Sequence, residues 1–139
     1  MQTIILLTLG LAVGLIFIAF VRRWHRAERR ILAFSLVAAA LIYVGLAAVS
    51  NASGWIAVEL IGFFIFSIFA QLGLRHSVLW LAAGWAAHPA WDAGLHLFGV
   101  GANVAPELYV LMCIGFDLPV AVYIVVMKQR LESSSLRRA

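Results

Sequence analysis

The sequence predicts an all-α integral membrane protein, a bundle of five transmembrane helices with its N-terminus outside and its C-terminus in the cytoplasm. Three observations lead there. Of 139 residues, 65% are hydrophobic and only 12% are charged, with a mean hydropathy of +1.04; the charged share is about half that of a globular domain. The apolar residues fall into five runs, at about 2–21, 31–49, 55–74, 78–98 and 106–127, each close to the ~20 residues needed to cross a bilayer. Every Lys and Arg lies within 22–30, at Arg75, or in the tail at Lys128, Arg130, Arg137 and Arg138. Five crossings place all of these on one face, which positive charge marks as cytoplasmic. Four crossings would split them between both faces. The bundle is one unit, residues 1–127, followed by a polar cytoplasmic tail, 128–139, that is expected to be poorly ordered.

The first run opens on MQTIILLTLG. It lacks the positive n-region of a signal peptide and is too long for one, so a retained span is expected. Gly10 and Gly14 have the GxxxG spacing that lets helix backbones approach closely within a bundle. The next segment, RRWHRAERR, carries five arginines and one glutamate. A short solvated loop that holds topology accounts for it, and no nucleic-acid partner is expected. The second run is rich in alanine and closes on a polar turn, Asn51-Ala52-Ser53-Gly54. Those residues match a glycosylation acceptor, but so short a loop makes that use unexpected.

The third run begins at Trp55, an interfacial anchor, and carries Glu59 followed by Phe63, Phe64, Phe66 and Phe69. These aromatics read as packing or lipid-facing residues. A tight turn at Arg75-His76-Ser77 leads to the fourth run, which ends in HPAWDAGLH. There His88, Asp92 and His96 recur every four residues, and on a helix they share a slowly turning face. The fifth run holds Glu107, Cys113 and Asp117. A single cysteine excludes an internal disulfide and any CxxC redox or zinc-ribbon motif.

Depth gathers these polar groups. At a rise of about 1.5 Å per residue, His88 and Asp117 lie about 15 Å from a helix end, near the midplane. By the same rise, Asp92, Glu59 and Cys113 lie about 6–10 Å below the outer surface, with His96 and Glu107 at the outer mouth. If the third, fourth and fifth helices adjoin, they form a polar column opening outward. Pro89 and Pro119 free the carbonyls of Trp85 and Gly115, breaks that membranes tolerate where backbone is buried in protein or lines a cavity.

The cost is large. Three unpaired carboxylates at this depth amount to roughly 7–10 kcal/mol on insertion scales. No Lys or Arg occupies the outer half. Glu59, Asp92 and Asp117 must therefore share protons, pair with histidines, meet water or bind a cation. His88-Pro89, Trp91-Asp92, His96, Cys113 and Phe116-Asp117 together resemble the pattern of a family of small bacterial multi-span membrane proteins of unknown function. The resemblance covers the last half of the chain and implies a bacterial inner-membrane protein in which these residues form one site.

Histidine and carboxylate donors suit zinc or non-haem iron, so a divalent metal is the expected cofactor. His88, Asp92, His96, Asp117 and Glu59 are the candidate ligands. One ion can take His88 and Asp92, completed by Asp117 or Glu59; alternatively Asp92 and His96 bind it with Glu59 or Glu107. Both histidines on one ion would need distortion, because about 12 Å of helix rise separates them. Asp92, Asp117, His88 and Glu59 are the candidate catalytic groups for a lipid-like or small hydrophobic substrate. His96, Glu107 and Cys113 are candidates for the mouth. Alternatives are a metal-free acid/base enzyme (an isomerase, cyclase or hydrolase), ion or proton transport, and a structural accessory subunit. Membrane lipids are expected partners, and so small a bundle suits self-association. Retinal attachment is excluded because the only lysine, Lys128, lies at the membrane edge. Haem would need opposed histidines, and here both lie on one helix.

Overall fold

A computed structural model of the protein describes residues 1–50, 53–101 and 103–136, with side chains at 1–50, 54–101 and 103–129. Asn51 and Ala52, with the glycosylation-like sequence they begin, and residues 137–139 of the tail lie outside the described residues. The fold is all-α: α1 (Gln2–Arg23), α2 (Glu28–Val49), α3 (Ser53–Arg75), α4 (Val78–Asp92) and α5 (Glu107–Leu136), with one π-helical turn, Ala93–Leu97, continuing α4. Four helices, α1, α2, α3 and α5, are long and apolar enough to cross a membrane, and the protein is a membrane helical bundle.

The helix ends follow local chemistry. The basic loop shrinks to residues 24–27, because Arg22 and Arg23 close the last turn of α1 and Glu28 opens the first turn of α2. Both placements complement the helix macrodipole. Ser77 caps α4, its hydroxyl accepting from the Leu79 N–H at 3.3 Å, which fixes the turn predicted at 75–77. α5 continues through Lys128 to Leu136, since Lys, Gln, Arg, Leu and Glu are good helix formers. Polar composition does not by itself end a helix.

α4 is the centre of the bundle. It packs on α3 at one side and α5 at the other, while α1 lies along α5 and α2 along α3. Among the described residues α3 and α5 do not pack on each other, and α1 meets α2 only slightly. The α1–α5 seam is as close as backbones permit: a Cβ at Gly10 would meet the Met112 carbonyl, and one at Gly115 would meet that of Leu7. The GxxxG spacing of α1 thus serves packing inside the chain. Trp85 lies buried at the centre, its indole N–H donating to the Leu32 carbonyl at 3.2 Å.

Around it an apolar core of Val21, Leu32, Leu36, Leu81, Val120 and Ile124 occupies one half of the bundle. At that end the Arg29 guanidinium donates to the Gly73 carbonyl at 2.6 Å, and the Tyr123 hydroxyl donates to Glu28. These contacts bring the start of α2, the end of α3 and the C-terminal half of α5 together. The polar residues of the other half surround α4 and its π-helical turn.

Candidate functional site

Glu59, His88, Asp92, His96 and Asp117 are all at most 2% exposed. They do not form one cluster. Because α3 and α5 both pack on α4 and not on each other, α4 shares its polar residues in two directions. His88 and Asp92 face Asp117 of α5, while His96 reaches Glu59 of α3.

In the first group the His88 Nδ1 lies 2.9 Å from Asp117 Oδ2 and 3.3 Å from Asp92 Oδ2. The contact to Asp117 is a hydrogen bond. That to Asp92 is close but not aligned for one, and neither Asp92 oxygen has a hydrogen-bond partner among the described residues. A buried, unsatisfied carboxylate costs at least ~1–3 kcal/mol, and it is the kind of group that a bound cation, water or proton would satisfy. One donor atom from each of His88, Asp92 and Asp117 lies within 4.8 Å of the others, so the group can hold a metal ion. With metal–ligand bonds of ~2.0–2.1 Å, donors of a tetrahedral site are about 3.3 Å apart. The two separations from His88 Nδ1, 2.9 and 3.3 Å, are close to that.

In the second group His96 Nδ1 lies 3.0 Å from the Gly101 carbonyl oxygen. A carbonyl only accepts, so Nδ1 carries a hydrogen and fixes the ring. His96 Nε2 then faces Glu59 Oε1 at 3.2 Å, an arrangement that is favourable only if the pair holds a proton between them. The π-helical turn makes this possible. Its wider winding, closed by the Phe98 N–H donating to the Ala93 carbonyl at 3.0 Å, turns His96 off the line of His88 and Asp92 toward α3. Such turns are frequent at functional sites, and this one follows the Pro89 break by one turn.

Tyr43 of α2 joins the groups. Its buried ring stacks on His96, with centroids 5.2 Å apart, and meets His88 edge-on at 5.7 Å. Its hydroxyl faces Asp92 and Cys113. Sequence reasoning missed Tyr43, because a tyrosine in an apolar run carries no charge to mark it; the one available signal was its depth, which matches that of Asp92. Of the other expected residues, Glu107 is exposed at the start of α5, away from both groups, and Cys113 is half-buried.

Access to the site is sideways. A cavity of about 340 Å³ lies between α1, α2 and α5, and Asp117, Cys113 and Tyr109 line it together with Phe17 and Met112. Val13 and Ile42, at its rim, are 43% and 48% exposed. Toward α3, the void among Tyr43, Glu59, Phe66, His88 and Trp91 is too narrow for a water. The outer mouth expected from the sequence is filled by His96 itself, Trp55 and the Gly101 loop.

Fold and site define a membrane helical bundle with a buried His/Asp/Asp cluster able to hold a metal. The sequence matches the family of unknown function DUF6010 over residues 4–130, and the chain belongs to that family. The match is consistent with membership of an uncharacterised family, as the resemblance in the last half of the chain implied. Comparisons with curated proteins and with solved structures return no match.

Proposed function

We propose that this chain is a five-span membrane protein, N-terminus outside and C-terminus cytoplasmic in a bacterial inner membrane. In this reading it performs metal-assisted chemistry on a hydrophobic molecule at His88, Asp92 and Asp117. The observation that carries the reading is the buried three-donor group, drawn from two helices, with an Asp92 carboxylate that makes no aligned hydrogen bond among the described residues and has His88 Nδ1 at 3.3 Å. The donor set suits zinc or non-haem iron, and such an ion supplies Lewis acidity and an activated water.

The chain's own residues have separate roles in this scheme. His88, Asp92 and Asp117 are ligands, Asp117 being also the one that lines the cavity. Glu59 and His96 form an outer acid/base pair, and Tyr43 holds both imidazoles in place. The fifth crossing is supported by the fourth run: α4 alone, at 15 residues, rises only about 22 Å, but the π-helical turn carries it on toward the ~30 Å of a bilayer core. The orientation is supported by the gathering of the basic loop and the end of α3 at one end.

A second reading, acid/base chemistry without metal, is favoured by the 2.9 Å hydrogen bond between His88 and Asp117, which resembles an oriented catalytic imidazole. Ion transport fits less well, because the core packed around Leu32, Leu36 and Leu81 in the inner half is apolar. The test is metal analysis of the purified protein beside Asp92→Asn, His88→Ala and Asp117→Asn. The proposal expects near-stoichiometric metal in the parent and strong loss in each variant. A metal-free parent whose variants keep their stability would refute it in favour of the second reading. Uniform destabilisation of the variants without loss of any bound species would assign the cluster a structural role.

A further inference from the structure

We propose that the groove between α2 and α3, at the basic end of the bundle, binds one anionic phospholipid whose phosphate lies at Arg75. The site is apart from the His88/Asp92/Asp117 group and does not depend on a metal there.

The groove changes character along its length. On α3, Ser67, Gln71 and Arg75 recur every four residues and line it as one polar stripe, as helical spacing requires. Across from them α2 contributes Ala33, Phe34 and Val37. Arg75 is the last residue of α3. At a rise of about 1.5 Å per residue, Gln71 lies about 6 Å inside it and Ser67 about 12 Å. Gln71 and Arg75 are both exposed, although the helix that carries them is apolar enough to cross a membrane. An amide that faces hydrocarbon without a hydrogen-bond partner is costly. Deeper in the same wall the Ser67 hydroxyl is buried and has no partner among the described residues. A glycerophospholipid has the matching order of groups: a phosphate at the membrane surface, ester carbonyls below it, then hydrocarbon. Arg75 meets the phosphate, the Gln71 amide donates to an ester carbonyl, and the chain lies against Phe34, Val37 and Ala70.

Charge selects the head. Arg29, one turn before Ala33, donates through Nε to the Gly73 carbonyl at 2.6 Å. That bond holds a second guanidinium beside the last turn of α3, and its Nη2 has no partner among the described residues. Neither Arg29 nor Arg75 pairs with a carboxylate among those residues. Glu28, next to Arg29 in the chain, instead accepts from the Tyr123 hydroxyl, and no acidic side chain is among the described lining residues. Guanidinium groups bind phosphate oxygens in a planar fork, and basic pockets between membrane helices take anionic heads. A choline head would bring a cation against these arginines with no carboxylate in the groove to receive it. Phosphatidylglycerol carries no such cation, so charge complementarity favours it over phosphatidylcholine.

The experiment is native mass spectrometry of the full-length protein from detergent micelles holding phosphatidylglycerol and phosphatidylcholine in equal amounts, with inorganic phosphate added in a separate arm. The proposal expects one phosphatidylglycerol retained per chain, in clear excess over phosphatidylcholine and not displaced by inorganic phosphate. Arg75→Gln should weaken retention about fivefold, equivalent to the ~1 kcal/mol of one basic residue at an anionic membrane surface. Gln71→Leu should weaken it as well, without lowering thermal stability, because the side chain it replaces is exposed. Arg23→Gln removes the same charge from the end of α1, which packs along α5, and should leave retention unchanged. Equal retention of phosphatidylcholine overturns the proposal, as does a chain that retains neither lipid. Equal losses in Arg75→Gln and Arg23→Gln would replace the site by a diffuse basic surface, and displacement by inorganic phosphate would make it a site for the free anion; either result refutes the inference.

Discussion

Replacing Asp92 by Asn tests the chemistry of the site through stability alone. The substitution is nearly isosteric and leaves the 2.9 Å hydrogen bond between His88 and Asp117 in place. It removes a negative charge that is buried and makes no aligned hydrogen bond among the described residues, with only His88 Nδ1 near it at 3.3 Å. Asn leaves a polar amide in the same place, so only the loss of charge counts, and in metal-free protein stability should rise. Metal reverses the advantage. At a free concentration 100 times the dissociation constant, binding stabilises the parent by about 2.7 kcal/mol. A variant whose affinity is a hundredfold weaker gains only about 0.4 kcal/mol by the same relation. Adding metal should therefore move the difference between the two proteins by about 2.3 kcal/mol in favour of the parent. The measurement is denaturant unfolding in detergent micelles, followed by tryptophan fluorescence, with chelator and with zinc or iron. Two results would refute the reasoning: an Asn variant less stable than the parent in chelator, or a difference that metal leaves unchanged.

Other outcomes follow from particular contacts. Gly115→Val sets a side chain against the Leu7 carbonyl and should destabilise the bundle by about 1–3 kcal/mol or more. Gly45→Ala, with nothing within 4 Å of the added Cβ, should be neutral or stabilising by up to about 1 kcal/mol; unfolding of the two variants side by side checks the contrast. Glu59→Ala and His96→Ala should each cost about 1–3 kcal/mol by removing the group 3.2 Å from the partner's buried atom, and the double variant should cost less than their sum, which a thermodynamic cycle will show. Trp85→Phe loses the bond to the Leu32 carbonyl and should cost about 1 kcal/mol in the same assay. In a Cys113→Ser background, a cysteine at exposed position 103 should react with an impermeant thiol reagent only from outside, and one at exposed position 26 only from the cytoplasmic face. The opposite pattern would invert the proposed topology.

Composition and the period of the apolar runs were enough to define a membrane helical bundle, because burial in lipid leaves the backbone few other solutions. The cost of an ionised group in that environment marked Glu59, His88, Asp92, His96 and Asp117, and all five are buried. The GxxxG spacing of Gly10 and Gly14 correctly indicated close packing, and the seam it makes with Gly115 belongs to the fold. What the sequence left open was which of these groups meet. The grouping of His88, Asp92 and Asp117 was among the arrangements it allowed, and tertiary structure produced it by placing α4 between α3 and α5. Helical spacing alone would have kept His96 on the face of His88 and Asp92; the π-helical turn, invisible in an i, i+4 pattern, swings it to Glu59. Tyr43 and the sideways cavity were equally illegible. Both are made where α2 approaches residues more than forty positions away, and no local period records which uncharged side chain, or which gap between helices, such an approach will place beside a charge.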